Sequence, residues 1–427
     1  MLKIKKIYLN SSSITAMILF LTAFVLTKGG QFFIPIALAN ILPREVYGSV
    51  ELAMSMALVL LSVVSFGSTA FISRRIIEDE AWINLSLVRL YLVIVSILLF
   101  SCSALFYFLD NAINSSMVFL FCAVLLLQGT ISTELKSKQK RKTSLFVDVF
   151  LWILILLWAF VNYSEQLAAS SFSLWLITLY FFVLLLKIST AINLYDLKGL
   201  QQWKKYIKEG LNIVLMGFIG VLVATSGRLV VGFGIGEEAA GNYSSLYRIA
   251  IFPIIIHQVI MLYFYKKSFQ KDSKQFKLIG SSVFWIITSI SIIFFIVSHY
   301  IHPLFGGAFN ANFINYPIAF LALTLSVPFW SASSINELAY YKDANSILPL
   351  IISISYISIC IFVTIFMVSL KSLEVAAIYS SILVIGYFLV NSLSLIKIGL
   401  PVAKSPLAAG LIVIIFLLFM ISSSLTN

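Results

Sequence analysis

The sequence predicts an all-α, polytopic membrane protein: two six-helix lobes in a parallel pseudo-repeat, plus an extra C-terminal helix. Three observations predict it. Of 427 residues, 61% are hydrophobic and 11% are charged, against about 45–50% and about 25% in soluble domains; the mean hydropathy is +1.03. Apolar runs of membrane length recur along the whole chain, and a turn near residue 45 returns in degraded form 193 residues later. No single water-soluble core hides this much apolar surface. The bilayer is therefore the solvent, and every charge must sit in a loop or have a reason for its depth.

A helix needs about 20 apolar residues to cross the hydrocarbon. On that ruler the chain offers thirteen spans: 14–40, 48–70, 83–109, 117–134, 145–162, 168–189, 210–232, 243–265, 278–300, 314–336, 347–369, 374–396 and 407–424. The first begins after Lys3, Lys5 and Lys6, like the basic region of a signal peptide, and Ala37-Leu38-Ala39 imitates a cleavage site. That site lies well beyond a normal h-region of about 7–15 residues, with Lys28 between, so an uncleaved first helix is expected. Span 2 follows the turn Pro43-Arg44-Glu45-Val46-Tyr47-Gly48 and closes on Phe66-Gly67-Ser68-Thr69-Ala70, just before Arg74-Arg75. Spans 4 and 5 are separated by the basic run Lys136–Lys142, and spans 6 and 7 by a linker ending near Lys208. The longest outer connection, His299 to Phe313, is about a dozen residues, and no soluble domain is visible.

Orientation follows from Lys and Arg. With the N-terminus inside, the cytoplasmic segments carry 23 of the 29, whereas the outer loops hold Arg44 and Lys371. Lys28, Arg89, Arg228 and Arg248 lie within spans. That asymmetry supports each intermediate span, because one missed helix would invert all later loops. It also explains the net charge of +12 without nucleic acid. Cys102, Cys122 and Cys360 fall in apolar runs and fit neither a disulfide framework nor a metal spacing. No catalytic residue, metal or cofactor is expected.

The recurring turn divides the chain. Aligning Gly48 with Gly241 sets Glu45 opposite Glu238 and carries spans 1 and 2 onto spans 7 and 8. Ser132-Thr133-Glu134-Leu135 resembles Ile335-Asn336-Glu337-Leu338 at the ends of spans 4 and 10. Six helices per copy start both copies from the same side, a parallel repeat about an axis along the membrane normal. The expected units are an N-lobe over 1–192, a cytoplasmic linker over 193–209, a C-lobe over 210–398 and an extra helix over 399–427.

These residues resemble a known family. The first helix, ending in Ala37 to Gly48, is similar to the corresponding turn of Wzx-type polysaccharide flippases, as are Phe66 to Ala70 and Gly236 to Tyr243. Those proteins share a superfamily with the MATE multidrug exporters and the lipid II flippases. The likeness covers spans 1–12. It implies two MATE-like lobes around a central cavity, in the bacterial inner membrane with the N-terminus cytoplasmic. It further implies alternating-access movement of an undecaprenyl-pyrophosphate-linked oligosaccharide, such as an O-antigen unit, to the periplasmic leaflet. Membrane lipids, a polysaccharide polymerase and a chain-length regulator are the partners expected from it. Where many relatives have an acidic residue in helix 7, this chain has Ser226-Gly227-Arg228. No ion-coupling role is carried over there.

Such a substrate needs cations in a hydrated cavity, with arginine suited to phosphate by its planar fork and lysine acting as a point charge. Lys28 is the deepest cation, about fourteen residues from either end of its span, roughly 21 Å at 1.5 Å per residue. Snorkelling from there is difficult. Gln31 follows at i+3 on the same face. Both are expected to bind substrate, with pairing of Lys28 to a buried acid on a neighbouring helix as the alternative. Arg228 and Arg248 flank the Gly236–Gly241 turn and are expected either to cluster at the outer mouth or to snorkel. Arg89, about two turns inside span 3, is a substrate-binding candidate with snorkelling as its alternative.

Two groups are candidates for ion coupling. Glu51 either titrates or pairs with Arg44 at i−7. His257 sits near the middle of span 8, on the face opposite Arg248 unless Pro253 bends the helix. Asp148 and Glu134 near cytoplasmic ends are expected to be solvated or paired with the Lys136–Lys142 run. Two other function classes remain open: a MATE-type small-molecule exporter and a membrane-embedded polysaccharide polymerase. The exporter would favour buried carboxylates, and the polymerase a sizeable catalytic loop.

Overall fold

The computed structural model describes residues 11–77, 79, 83–109, 113–165, 171–193, 200–260, 273–342, 354–356, 358, 360, 372–397, 402 and 405–426. Among these there is no strand. Eight helices are long and apolar enough to cross a membrane, or nine if one bent pair is a single span.

The first lobe opens with α1 (Ser11–Ile41), which encloses Pro35, and α2 (Arg44–Val64), begun at Pro43. The expected span 48–70 is in fact broken. Phe66 and Gly67 adopt positive φ, 46° and 71°, and the chain restarts as the short α3 (Ser68–Ile77), which carries Arg74 and Arg75 in its last turn. Left-handed residues of this kind end helices, and glycine accepts the conformation without a Cβ clash. Next come α4 (Leu85–Leu109), α5 (Ile113–Ser137), α6 (Arg141–Glu165) and α7 (Ser171–Ser189).

The second lobe begins with α8 (Leu200–Gly234), longer than the expected span and reaching well into the expected linker. Its first turns dock on the first lobe. Tyr206 is 3% exposed among Phe66, Phe71 and Tyr91, with ring centroids 5.9, 4.6 and 6.1 Å away, and Glu209 pairs with Arg74 at 3.0 Å. α9 (Glu237–Ala250) and α10 (Ile254–Ile260) form the bent pair, 52° apart, with Pro253 in the break. α9 starts six residues before the expected span, because Gly236, at φ 136°, lets the chain turn straight into it.

α11 (Ser273–Ile301) leads to a 3-10 turn (His302–Phe305) and α12 (Gly307–Asn315). The long outer connection is thus helical rather than loose, because Phe309 and Phe313 are buried and pack edge-on against Phe320. α13 (Pro317–Lys342), α14 (Leu373–Lys397) and α15 (Ser405–Thr426) complete the chain. Each expected span has its helix except 347–369, most of which lies outside the described residues, as do Lys3, Lys5, Lys6 and Lys371.

The buried side chains form two main clusters. One runs from Ile34 to Tyr206, and the other gathers α8, α9 and α11–α14. α1 contributes to both, since Phe32 and Ile36 turn to the second while Leu38 turns to the first. α15 packs Leu417 into a satellite cluster with Phe284 and Phe329, and leaves Ile412, Ile415 and Phe419 exposed. An added peripheral helix facing lipid would look like this. Two ends of the bundle are named below for their residues: the Pro43 end, where the α1–α2 and α8–α9 turns meet, and the basic end, which carries Arg74 and Lys136.

Candidate functional site: a charge cluster between the lobes

The two copies of the repeated turn pack on each other. A Cβ added to Gly48 would lie 1.8 Å from the Glu237 carbonyl oxygen and 2.9 Å from the Gly241 nitrogen; one added to Gly241 would lie 2.5 Å from the Arg44 carbonyl oxygen. The first turns of α2 and α9 therefore meet backbone to backbone. Ser49 Oγ donates to Glu237 Oε2 at 2.5 Å, and Arg44 reaches Glu238 at 3.9 Å on the surface. Arg44 is thus turned to the other lobe, not to Glu51.

Directly beneath this crossing lies Glu51, 1% exposed, one turn after Tyr47 on α2. Arg228 Nη1 of α8 donates to its Oε2 at 3.0 Å. Arg248 of α9 donates from Nη2 to both carboxylate oxygens, at 2.9 and 3.0 Å, and from Nε to Oε1 at 3.2 Å. The Tyr47 hydroxyl adds a fourth donor group at 3.3 Å. Arg228 is 6% exposed, so the expectation of snorkelling fails for it. Arg248 lies about 16 Å along α9, since the helix begins at Glu237 rather than 243. Each guanidinium also lies over an aromatic ring: Arg228 over Tyr247 at 4.8 Å, and Arg248 over Trp152 of α6 at 4.9 Å. Such stacking suits arginine, whose plane is weakly hydrated.

One carboxylate from the first lobe thus binds two cations from the second. Desolvating three charges is costly, and the short, multiply bonded geometry offsets it only while all three stay together. The cluster is an inter-lobe latch with a surplus positive charge.

Lys28 belongs to a second network. Its Nζ donates to Gln31 Oε1 at 2.7 Å, and Gln31 Nε2 donates to the Asp148 carbonyl of α6 at 2.5 Å. The Asp148 carboxylate takes Lys136 Nζ at 2.8 Å. Asp148 and Trp152 stand at i and i+4 on one face of α6. Lys136, Lys28 and Arg248 are therefore strung along α6, a cationic seam leading from the basic end to the latch.

Arg89 is elsewhere. It donates from Nη2 to both Glu134 oxygens at 3.0 Å and from Nη1 to the Ala191 carbonyl at 2.8 Å, tying α4 and α5 to the end of α7. Glu134 also takes Lys138 at 2.5 Å. His257 is likewise apart from the latch, across the bend at Pro253, with Nε2 2.8 Å from Ser334 Oγ.

Asn40, at the end of α1, ties that helix to the outer connection. Its Nδ2 donates to the Phe305 carbonyl at 3.1 Å and its Oδ1 accepts from Ala308 N–H at 3.1 Å. Gly306 permits this approach, since a Cβ there would lie 2.4 Å from Asn40 Oδ1. Asn40→Ala is expected to lower stability by roughly 1 kcal/mol, the net worth of exposed neutral hydrogen bonds, seen as a small fall in Tm. An unchanged Tm would show that the clamp carries no weight. Above the latch an open pocket of ≈ 830 Å³ is walled by Glu45, Glu237, Glu238 and Asn242, an acidic mouth.

Comparison with known proteins fixes the family. A family model described as polysaccharide biosynthesis protein matches residues 14–264. No curated protein matches the sequence. Among solved structures, an inward-facing multidrug-resistance MATE transporter of the MOP superfamily aligns with TM-score 0.57 and 13% identity, covering 94% of this chain and 98% of its own. An outward-facing MATE transporter aligns with TM-score 0.57 and 14% identity, over 93% and 94%. A MOP-superfamily transporter from Pyrococcus furiosus, whose binding pocket is described as of reverse polarity, gives 0.53 and 15%, over 95% and 93%. At such identities the likeness establishes the fold. The chain is a multi-pass membrane protein with the MATE-like transporter fold, and it belongs to the polysaccharide biosynthesis protein family.

Proposed function

We infer that the chain is a flippase that carries an undecaprenyl-pyrophosphate-linked oligosaccharide from the cytoplasmic to the periplasmic leaflet of the bacterial inner membrane. The family supports polysaccharide export, and one observation carries the choice of an anionic headgroup. The deep charge is positive: Arg228 and Arg248 share a single carboxylate, and Lys28 Nζ rests on the neutral Gln31. A carrier of cationic drugs, the fold's other familiar occupation, would present the opposite sign.

The asymmetry of Lys and Arg puts the basic end inside and the Pro43 end outside. Gly48–Gly241, the latch and Asn40 then join the lobes at the outer end, while Tyr206 and the Arg74–Glu209 pair join them at the basic end. A pyrophosphate arriving from the cytoplasm meets Lys136 and Lys28 first. At the latch it competes with Glu51 for two guanidiniums, each able to make paired hydrogen bonds to phosphate. Replacing Glu51 there would free the lobes to rock about the pseudo-axis. On the far side, the acidic mouth of Glu45, Glu237 and Glu238 repels the anion and favours its release.

Complementation of a strain lacking its own O-antigen flippase tests the reading. The wild-type chain is expected to restore surface polysaccharide, and Lys28→Ala to reduce it at least ten-fold at equal protein level. Normal export by Lys28→Ala would remove lysine from the carrying path. Failure of the wild-type chain across a panel of glycan backgrounds, with normal drug-export complementation, would favour the small-molecule exporter.

A further inference from the structure

We propose, on the footing of the flippase reading, that one face of the Trp152 indole is a sugar subsite, which receives the pyranose joined to the diphosphate when the lobes part. Trp152 stands on α6 and its ring packs against the core of the first lobe. One face carries a cover from the other lobe, the Arg248 guanidinium of α9, 4.9 Å from the ring centroid. The second arginine of the latch is placed differently. Arg228 of α8 lies over Tyr247 of α9 at 4.8 Å, a contact within one lobe. Tyr247 is also flanked by Tyr243 and by Trp330 of α13, which belong to that lobe too. Separation of the lobes therefore uncovers Trp152 and leaves Tyr247 enclosed.

The ring is held in place before any ligand arrives. Gln31 Nε2 of α1 donates to the Asp148 carbonyl at 2.5 Å, and Gln128 Nε2 of α5 donates to the Val147 carbonyl at 2.7 Å. Two carboxamides from two helices thus pin the turn of α6 that precedes Trp152, and with it the direction of the indole. Asp148, at i−4 on the same face, adds a carboxylate whose Oδ2 takes Lys136 Nζ at 2.8 Å. Among the described residues no donor reaches its Oδ1, and the side chain is 14% exposed. An aromatic face and a hydrogen-bond acceptor therefore stand one helical turn apart, beside the two guanidiniums.

A hexopyranose needs both kinds of contact. The C–H bonds of one ring face are apolar and weakly positive, and they stack on the negative face of an aromatic ring. The hydroxyls around the rim need acceptors, which a carboxylate supplies. The headgroup itself brings the sugar to this place. Its anomeric carbon is one oxygen away from phosphorus, so a phosphate held by Arg228 and Arg248 sets the first ring beside the guanidiniums. The wall next to them is the indole that Arg248 leaves. Left bare, that face would stand against water in a hydrated cavity, and a stacked sugar removes it from water. Guanidinium and pyranose occupy the face in turn, and the subsite exists only when the lobes are apart.

The test uses the full chain in nanodiscs and two probes, a polyprenyl diphosphate and the same lipid bearing one N-acetylhexosamine on its diphosphate. The wild type is expected to bind the sugar-bearing lipid about ten-fold more tightly than the bare one. Trp152→Leu, which fills the site without an aromatic face, is expected to bring that ratio to about one by weakening the sugar-bearing lipid alone. Trp152→Phe, which restores a face, should recover most of the ratio. An unchanged affinity of Trp152→Leu for the bare lipid shows that the variant keeps its fold and its arginines. A ratio preserved in Trp152→Leu, equal weakening of both lipids, or equal binding of both by the wild type overturns the subsite and leaves the flippase reading standing. A wild type that binds neither lipid overturns both.

Discussion

Glu51→Gln is expected to open the Pro43 end and abolish transport. The substitution leaves Arg228 and Arg248 buried without an anion. Breaking a buried ion pair by removing one partner costs about 3–5 kcal/mol, and here one change strips two cations at once. The lobes relieve this by parting, so that water reaches the guanidiniums. A cysteine at Ser55, one turn deeper on α2 and fully buried, reports it in a background lacking Cys102, Cys122 and Cys360. An impermeant maleimide added outside should label Ser55→Cys at least ten-fold faster when Glu51 is glutamine. Labelling that is equally slow in both would mean that the latch does not hold the end shut.

A companion variant separates closure from carriage. Replacing a whole buried ionic group by apolar residues of similar volume is often neutral or stabilising. Glu51→Leu with Arg228→Leu and Arg248→Leu should therefore keep the Pro43 end shut and the protein stable, yet lose translocation by at least a hundred-fold. Retained translocation in that triple variant would show that the arginines serve the fold alone.

The sequence made the frame of this protein legible but not its contacts, for physical reasons that differ residue by residue. Hydropathy and loop charge depend on composition over about 20 residues, so spans, their number and their relation to the basic loops are visible without a fold. The copies at Gly48 and Gly241 are visible as a spacing. That they touch is not, because close approach of two backbones is a property of the crossing and leaves no further mark than a glycine. Hydropathy does not mark helix ends that a left-handed residue decides: Phe66-Gly67 breaks a span that hydropathy runs through, and Gly236 starts α9 six residues before the apolar run. That early start sets Arg248 eleven residues into its helix. The i−7 pairing of Glu51 with Arg44 is a local rule, and it lost to a partner 197 residues away. The contacts of Trp152 and Asn40 leave no mark in the sequence, since a tryptophan in an apolar run and an asparagine at a helix end are both common there.

Gly48→Ala is expected to prevent closure outright, an effect out of proportion to one methyl group. In a helix interior alanine is normally better than glycine by about 1 kcal/mol, and Gly129→Ala on α5, where a new Cβ meets nothing within 4 Å, should be silent or slightly stabilising. At Gly48 the same methyl would sit 1.8 Å from a carbonyl oxygen. The obstacle is backbone, which has no rotamer to turn aside, so α2 and α9 must separate at the pseudo-axis. Ser49 then loses Glu237, and the arginines are drawn from Glu51, because all three contacts lie within two turns of one crossing. A short bis-methanethiosulfonate crosslinker between Ser49→Cys and Glu237→Cys should join the lobes efficiently with Gly48 present and at least ten-fold less with alanine, alongside a comparable fall in surface polysaccharide. Efficient crosslinking in Gly48→Ala would mean that the lobes close elsewhere, and the repeated turn would then be a relic of duplication rather than the seat of the gate.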